Sequence, residues 1–346
     1  MQLEDILIDE SSNIRTAVEQ LERVRCKVIY VVSNGKLIAS VSDGDIRRFV
    51  LQEGDVRLPI QSIANSDPLH LTRYEKEKVK QIFSRSEVYS IPIINYNQEI
   101  LEIIFRDGRR IRRKYALDCP VVMMAGGKGT RLYPYTKILP KALIPVGDIP
   151  IAERIINNFI DYGCTDYYMI VNHKRDMIQA YFDGIQKNYQ LSYIEEERPL
   201  GTGGGLYLLD GKLHQDFFLM NCDIIVDADY HEVYNYHIKE KNFITIIAAK
   251  YRHKVPYGVV ECDSNNDYRE IVEKPELDYI INTGMYVISK ELVAQMPHGE
   301  EWSFPDLIDH FKKKGAKIGV YVVEENAYMD MGQLEELEEM KKKLNV

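Results

Sequence analysis

No apolar run in this chain reaches the roughly 18 residues that a membrane-spanning helix needs, so no transmembrane segment is expected. The opening stretch MQLEDILIDE holds acids and no basic n-region, which excludes a secretory signal there. Excess positive charge is missing as well. A net charge of −9 argues against bulk binding of nucleic acid or an anionic membrane. The cysteines Cys26, Cys119, Cys164, Cys222 and Cys262 are odd in number, widely spread and without C-x-x-C spacing. Reduced thiols in a cytoplasm are the simplest account of them. The histidines show no metal spacing; His231 and His237 fall on a predicted surface helix. No Ser/His/Asp order or active-thiol signature is found, and Cys222 reads as a buried small apolar thiol. What remains is a soluble cytoplasmic protein whose local basic pocket takes a small anionic substrate. Its 346 residues suffice for two domains at about 100–200 residues each. Its 45% apolar and 28% charged content is that of an ordinary globular chain.

The chemistry is concentrated in residues 121–150, VVMMAGGKGTRLYPYTKILPKALIPVGDIP. The apolar run from Val121 to Ala125 suits a buried parallel strand. It breaks into Gly126, Gly127, Lys128, Gly129, Thr130 and Arg131. Glycines have no Cβ, so their backbone N–H groups can approach an anion closely. Lys128 and Arg131 add positive charge, and Arg131 can fork onto phosphate oxygens. Lys141, between Pro140 and Ala142, is a third cation. Strand, glycine turn and cations describe a polyphosphate cradle; alone, the string also reads as a glycine turn with solvated cations. Two look-alikes are excluded. A Walker loop needs Gly-x-x-x-x-Gly-Lys-Ser/Thr, but Lys128 is followed by Gly129, and Val122 stands where the first glycine belongs. The dinucleotide pattern fails because Leu132 occupies its last glycine position.

Residues 1–115 carry a weak internal repeat. Residues 29–46 (IYVVSNGKLIASVSDGDI) and 89–108 (YSIPIINYNQEILEIIFRDG) share one outline. Each is a β-like run, a polar turn (Ser33-Asn34-Gly35; Asn95-Tyr96-Asn97) and a second β-like run. A helical pattern precedes each copy, at Ile14, Val18, Leu21 and Val24, and at Val79, Ile82 and Phe83. The basic string RDGRRIRRKY (residues 106–115) reads as a solvated link after the second copy. It is too short for a nucleic-acid footprint, which should cover a whole face. From about residue 118, strand-like runs at 121–125, 167–171, 217–221, 244–249 and 318–323 alternate with helical patterns. Residues 150–163 are one of these, with apolar spacing at Ile151, Ile155, Ile156 and Phe159 and a stop at Gly163. The alternation predicts a mostly parallel sheet with helices on both faces. Ligands then bind at the carboxyl ends of strands, where the cradle lies. A last helix carries Glu335, Glu336, Glu338 and Glu339 before Lys341, Lys342 and Lys343, matching the helix dipole.

The string from Gly126 to Val146 resembles the signature of the sugar-1-phosphate nucleotidyltransferases, GGxGTRLxPLTxxxPKPLxPV. It departs at Tyr135 and Ala142, neither of which carries the phosphate chemistry. The repeated β-turn-β unit with flanking helices resembles a pair of CBS modules. Together these imply an α/β protein: a Rossmann-like, mostly parallel-sheet nucleotidyltransferase domain over 119–346, preceded by a smaller α+β CBS pair over 1–115. The pair is regulatory or dimerising, and a homo-oligomer is expected. Ser42-Asp43-Gly44-Asp45 matches the Ser/Thr-x-x-Asp pattern by which such modules hold a ribose, so Ser42 and Asp45 are candidates for a regulatory nucleotide. The second copy has Phe105-Arg106-Asp107-Gly108 there and lacks the hydroxyl; a pair without ligand is the alternative.

Asp223 closes FFLMNCD (residues 217–223) and Asp330 lies in YMDMG (residues 328–332). Locally, each reads equally well as an N-cap or turn aspartate. The family resemblance implies that the two hold catalytic Mg²⁺, which phosphoryl-type transfer needs to offset charge on phosphate oxygens. EEERPLGTGGG (residues 195–205) resembles the family's E-x-x-PLGTAG base platform, implying that Gly201 and Thr202 read the base through backbone groups; a flexible glycine loop is the alternative. Glu273-Lys274-Pro275 matches the family's EKP, with Glu273 on sugar hydroxyls and Lys274 on the sugar phosphate. Tyr257-Gly258-Val259 and Asn282-Thr283-Gly284 match its Y-G-V and N-x-G sugar-side segments. The implied reaction joins an NTP and a sugar-1-phosphate into an NDP-sugar and pyrophosphate. GTP with glucosamine-1-phosphate or mannose-1-phosphate is favoured, for glycan or nonulosonic acid biosynthesis. Thymidylyl or uridylyl transfer to glucose-1-phosphate, and a degenerate CBS nucleotide sensor, stay open.

Overall fold

A computed structural model describes residues 1–76, 78–95, 97–113 and 117–346, apart from the side chain of Tyr74. Tyr96 of the second polar turn, Lys114 and Tyr115 of the basic string, and the boundary at 115 therefore lie outside the described residues. The chain divides into two compact units, Met1–Tyr115 with Lys342–Val346, and Ala116–Lys341.

In the first unit the repeat is visible as topology. Its first half runs β1 (Leu7–Asp9), α1 (Ile14–Val24), β2 (Val28–Ser33), β3 (Lys36–Ser42) and α2 (Asp43–Leu51). Its second half runs β4 (Leu71–Thr72), α3 (Lys78–Arg85), β5 (Ser90–Ile94), β6 (Ile100–Phe105) and β7 (Arg110–Arg112). In each half a short strand pairs parallel to the first strand of an antiparallel hairpin. The β2–β3 turn is Asn34-Gly35 with φ of 49° and 79°, the left-handed pair that a two-residue hairpin turn requires. The halves part at the end: the first closes with a helix and the second with β7, which pairs with β6. One apolar core joins them, with Ile29 and Val31 beside Ile100, Ile103 and Phe105. Asn345 Nδ2 donates to Glu75 Oε1 at 3.2 Å in this unit, so the last residues group here rather than with the preceding block.

The second unit is an α/β domain around a seven-stranded sheet. Its strands are β8 (Val121–Met124), β9 (Pro145–Val146), β10 (Ile149–Pro150), β11 (Asp166–Val171), β12 (Gln190–Glu195), β13 (Phe217–Asn221), β14 (Ile224–Val226), β15 (Ile244–Lys254), β16 (Val259–Cys262), β17 (Tyr268–Val272), β18 (Glu276–Ile288), β19 (Ile318–Val323) and β20 (Tyr328–Asp330). Its helices are α4 (Tyr135–Ile138), α5 (Ile151–Ile160), α6 (Arg175–Gly184), α7 (Tyr230–Glu240) and α8 (Phe304–Lys313); α9 (Leu334–Leu344) follows. The main sheet has the order β12-β11-β8-β13-β18-β15-β19, with only β18 antiparallel to its neighbours. β8 lies inside it, and Val121, Val122 and Met123 are fully buried. That is why VVMM is continuously apolar rather than alternating. Asp229 caps α7 by accepting from the N–H of His231 and Glu232, and Ser303 caps α8 by accepting from Asp306. Among the described residues no helix is long and apolar enough to cross a membrane.

One sequence expectation needs correction. His237 is not on a solvated face: it is 1% exposed. Its Nδ1 lies 2.8 Å from Thr245 Oγ1 and its Nε2 3.3 Å from Asp216. α7 packs by this side, with Thr245 as the hydrogen-bond partner of Nδ1 and the Asp216 carboxylate facing Nε2. Arg106, Arg109, Arg110 and Arg112 of the basic string are exposed, as expected, and they are also engaged. Arg106 donates to the carbonyls of Val88, Phe83 and Ser86. Arg112 and Lys76 surround buried Glu102 at 2.9 and 3.1 Å. The string offsets a buried carboxylate, and Coulombic attraction to these cations holds Glu102 below its usual range against burial, the largest influence on it, which pushes the other way.

Candidate active site

The cradle leaves the carboxyl end of β8, where Ala125 N–H donates to the Ile170 carbonyl at 2.8 Å. Gly129 has φ +60°, and a Cβ there would stand 2.9 Å from Thr136 Cγ2 and 3.2 Å from Lys141 Cβ. Only glycine fits this turn. Around Gly127 the space is open. Thr130, Arg131 and Leu132 form a 3-10 turn pinned by the fully buried Leu132. Lys128 stays exposed. Arg131 lines a cavity of about 270 Å³ with Thr202, Asp223, Asn282 and Asp330. Five residues expected to serve one site are thereby brought together.

Asp223 and Asp330 are placed by backbone pairing. β14 runs antiparallel to β20 with Ile224 opposite Asp330, and Met331 N–H donates to the Asp223 carbonyl at 2.9 Å. Lys141 Nζ donates to the Asp223 carboxylate. Burial first, and then the charges of Asp223 and Glu336, hold the Asp330 carboxyl above its usual range, with Lys141 and Arg131 opposing. Asp330 Oδ1 is buried and meets no hydrogen-bond donor among the described residues. Two adjacent carboxylates with an open oxygen suit a hard divalent cation, and Mg²⁺ commonly takes only one or two protein carboxylates beside phosphates. No group of three or more His, Cys, Asp or Glu side chains arranged for a metal occurs among the described residues.

Asn282 reaches the cavity through a bulge. The β15–β18 register shifts at Ile247/Ala248, opposite Asn282 to Met285. Such a bulge re-aims side chains. Gly284 has φ +81°, and a Cβ there would stand 2.6 Å from Asn221 Nδ2. Asn282 Nδ2 donates to the Tyr286 hydroxyl at 2.7 Å, and its Oδ1 accepts from Gly284 N–H at 3.1 Å.

The PLGTGG segment is clamped rather than flexible. Gly203 N–H donates to the Trp302 carbonyl and Trp302 N–H to the Leu200 carbonyl, both at 3.0 Å. Phe304 N–H donates to Thr202 Oγ1 at 2.9 Å. Gly201 has φ +77°, and a Cβ there would stand 2.3 Å from the Trp302 carbonyl oxygen.

Tyr257, Gly258, Glu273 and Lys274 do not line the cavity; they gather at the root of the β16–β17 hairpin. Lys274 N–H donates to the Tyr257 carbonyl at 3.3 Å, and a Cβ on Gly258 would meet Glu273 Oε2 at 2.9 Å. Ser42 and Asp45 form a reciprocal capping box at the start of α2: Asp45 N–H donates to Ser42 Oγ at 3.2 Å and Ser42 N–H to Asp45 Oδ2 at 2.8 Å. They line a separate cavity of about 580 Å³ in the first unit with Lys27, Arg47, Tyr89 and Ser90.

Asn221, Tyr286 and Phe304 line the same cavity and went unread in the sequence, and Tyr328 lines it as the first residue of the YMDMG string. Asn221 could have been found, since it ends the strand whose tip carries Asp223. Phe304 had no local signal, because only tertiary pairing with Thr202 brings it in. Glu196, the glutamate of the E-x-x-PLGTAG match, is 5% exposed, and burial pushes its acid up to about 7.

This geometry has counterparts. The Nucleotidyl transferase family model matches residues 120–345. The chain belongs to the nucleotidyl transferase family. The CBS domain model matches residues 1–52, the first of the two repeated halves. The family member named mannose-1-phosphate guanyltransferase from Pichia angusta is 31% identical over 226 residues, covering 61% of this chain and 60% of that protein. The bifunctional protein GlmU of Methanococcus aeolicus is 32% identical over 211 residues, covering 58% of this chain and 49% of that protein. The chain thus spans about half to three-fifths of the length of these curated relatives. Among solved structures of the fold, HddC from Yersinia pseudotuberculosis complexed with GMP-PN matches at TM-score 0.52 and 26% identity, over 65% of this chain and 99% of that one.

Proposed function

We propose that this nucleotidyl transferase moves a guanylyl group from GTP to a hexose-1-phosphate, mannose-1-phosphate or glucosamine-1-phosphate, releasing pyrophosphate. The observation that carries the reading is the cavity in which Arg131, Asp223, Asn282 and Asp330 meet beside the glycine turn. Guanylyl transfer is the activity in the name of the Pichia angusta relative, and HddC was solved with a guanine nucleotide analogue. An oxygen of the sugar phosphate attacks the α-phosphorus in line as the bond to the β-phosphate oxygen breaks. The attacking phosphate is already an anion at neutral pH, so no side chain need act as a base. The chain's work is positioning and electrostatics. Lys128, Arg131 and the N–H groups of residues 126–130 hold the triphosphate and the departing pyrophosphate. Lys141 and Lys274 offset repulsion between two anionic substrates. Gly201 and Thr202 face the base; Tyr257, Gly258, Glu273 and Asn282 face the sugar. Asp223 and Asp330 would hold Mg²⁺, which when bound offsets charge on the phosphate oxygens.

The first unit, in this reading, is a tandem CBS pair of the cytoplasmic enzyme, with Ser42 and Asp45 at a regulatory nucleotide. The cavity they share with Lys27 and Arg47 supports it. The chain works as a homo-oligomer, which light scattering checks. Pyrophosphate release measured across a grid of GTP, UTP, dTTP and ATP against hexose-1-phosphates tests the catalytic reading. GTP with one of the two named acceptors should dominate; release with no pair would leave the sensor reading. Calorimetry of the full chain with adenine and guanine nucleotides tests Ser42 and Asp45, provided a Ser42→Ala variant is compared.

A further inference from the structure

The bend between β11 and α6, Asn172-His173-Lys174, meets the phosphate turn on two sides. Where the turn begins, a Cβ on Gly126 would stand 3.3 Å from Asn172 Cβ. Beyond its end, Lys174 Nζ donates to the carbonyls of Thr136 and Lys137, both at 2.8 Å. Those carbonyls belong to α4, a helix of only four residues. The last carbonyls of a helix find no partner within it, and a lysine ammonium nearby satisfies them.

Lys174 does this from a strained backbone. Its φ is +54°, the left-handed region, at the N-cap of α6. A residue with a Cβ rarely adopts that conformation, and one that does points to a constraint from its surroundings. The constraint is not the cap, because the Lys174 side chain makes no capping bond to α6. Its ammonium is spent on α4 instead. α4 in turn backs the phosphate turn. Thr136 is buried, and its Cγ2 and Lys141 Cβ are the atoms that a Cβ on Gly129 would strike. A shift of α4 would therefore disturb Gly129 and Lys141 together.

We infer that Lys174 is a positioning residue for the phosphate turn. By tying α4 to the β11–α6 bend, it holds residues 126–131 and Lys141 in the arrangement that receives the pyrophosphoryl part of a nucleotide. The inference rests on the reading of that turn as a triphosphate cradle, and it names a residue outside the cavity that Arg131 lines. A turn fixed before binding loses less freedom when it takes up an anion. Fixed groups also keep the reacting atoms aligned, and small misplacements are costly in rate.

The test titrates the full chain with inorganic pyrophosphate in magnesium buffer by calorimetry. Pyrophosphate carries no base and no sugar, so the choice of nucleotide does not enter. In Lys174→Met its affinity should fall roughly tenfold, the worth of one charge-assisted hydrogen bond. Turnover should show a lower kcat, with KM for the sugar phosphate unchanged. Lys174→Arg, whose guanidinium can also donate to two carbonyls, should restore both affinity and kcat. A lysine that only stabilised the fold would lower the melting temperature and leave pyrophosphate affinity at the wild-type value; that result overturns the inference. Should Lys174→Met fail to fold, Lys174→Gln, shorter and uncharged, decides: wild-type affinity and kcat in it overturn the inference. Arg131→Ala separates the inference from the reading beneath it. Weakened pyrophosphate binding there, with wild-type binding in Lys174→Met, overturns the inference alone. Wild-type binding in Arg131→Ala overturns the cradle reading, and the inference with it.

Discussion

Around the glycine turn nearly every functional side chain is anchored by the sheet, whereas Tyr257, Gly258, Glu273 and Lys274 stand on a two-stranded arm exposed along almost its whole length. On the sheet side Asp223 and Asp330 are neighbours through backbone pairing, Thr202 is tied to α8, and Gly129 and Gly201 sit where no Cβ fits. On the arm, β16 and β17 pair only with each other. Such a ribbon is marginal by itself in water. The residues around the glycine turn are thus held in place by the sheet, and the β16–β17 arm has few contacts to hold it. Variants on the first should be felt in kcat or in folding; variants on the second should be felt in acceptor binding alone.

The strongest way to break that contrast is Asp223→Ala, with Asp223→Asn as the isosteric control. Turnover should fall by about three orders of magnitude, roughly 4 kcal/mol of transition-state stabilisation, with circular dichroism unchanged. Near-normal kcat in either variant would sink the role given to Asp223. Next comes Gly201→Ala. A side chain in the left-handed region costs about 1–2 kcal/mol, and this one also strikes the Trp302 carbonyl. A loss of about 2–4 kcal/mol should appear in denaturant unfolding, and a loss under half a kcal/mol would mean the clamp is loose.

Glu196 gives a pH test of the anchored half. Burial raises its acid from an ordinary 4.5 to about 7. Between these values the folded state keeps a proton that the unfolded state releases. Stability therefore falls as pH rises through that window and is level above it. Between pH 5 and pH 8 the wild type should lose on the order of 2–3 kcal/mol more than Glu196→Gln. Parallel curves for the two proteins would remove the buried-acid argument. The smallest effect belongs to the arm: Lys274→Ala should raise KM for the sugar phosphate by roughly tenfold, about 1.4 kcal/mol. Its unfolding free energy should stay within about 0.5 kcal/mol of wild type. A melting shift of many degrees would show the arm to be as firmly built as the sheet.

Legibility in the sequence follows the same division. The strands at 217–221 and 318–323 were readable because their apolar or β-branched runs are local signals, and α5 because its apolar spacing is helical. Asp223 could be picked out because it closes an apolar strand run, and Asp330 because YMDMG resembles a family segment. Strand order was not, since β18 inserts antiparallel between β13 and β15 through pairings remote in the chain. Three consecutive glutamates look alike on paper, and only the pleat that turns Glu195 outward makes Glu196 the buried one. His237 and Glu102 were misread or passed over for a related reason: their partners, Thr245 and Asp216 for one, Lys76 and Arg112 for the other, come from other elements. Burial of a polar group depends on its partner, and composition does not name the partner.

The Lys141–Asp223 contact has one further consequence. A lysine resting on an acidic pair acts as an on-board counter-ion that the polypeptide supplies for itself. The fold around Asp223 thus carries its own positive charge against that carboxylate, unlike small domains whose ligand side chains gather only around a metal.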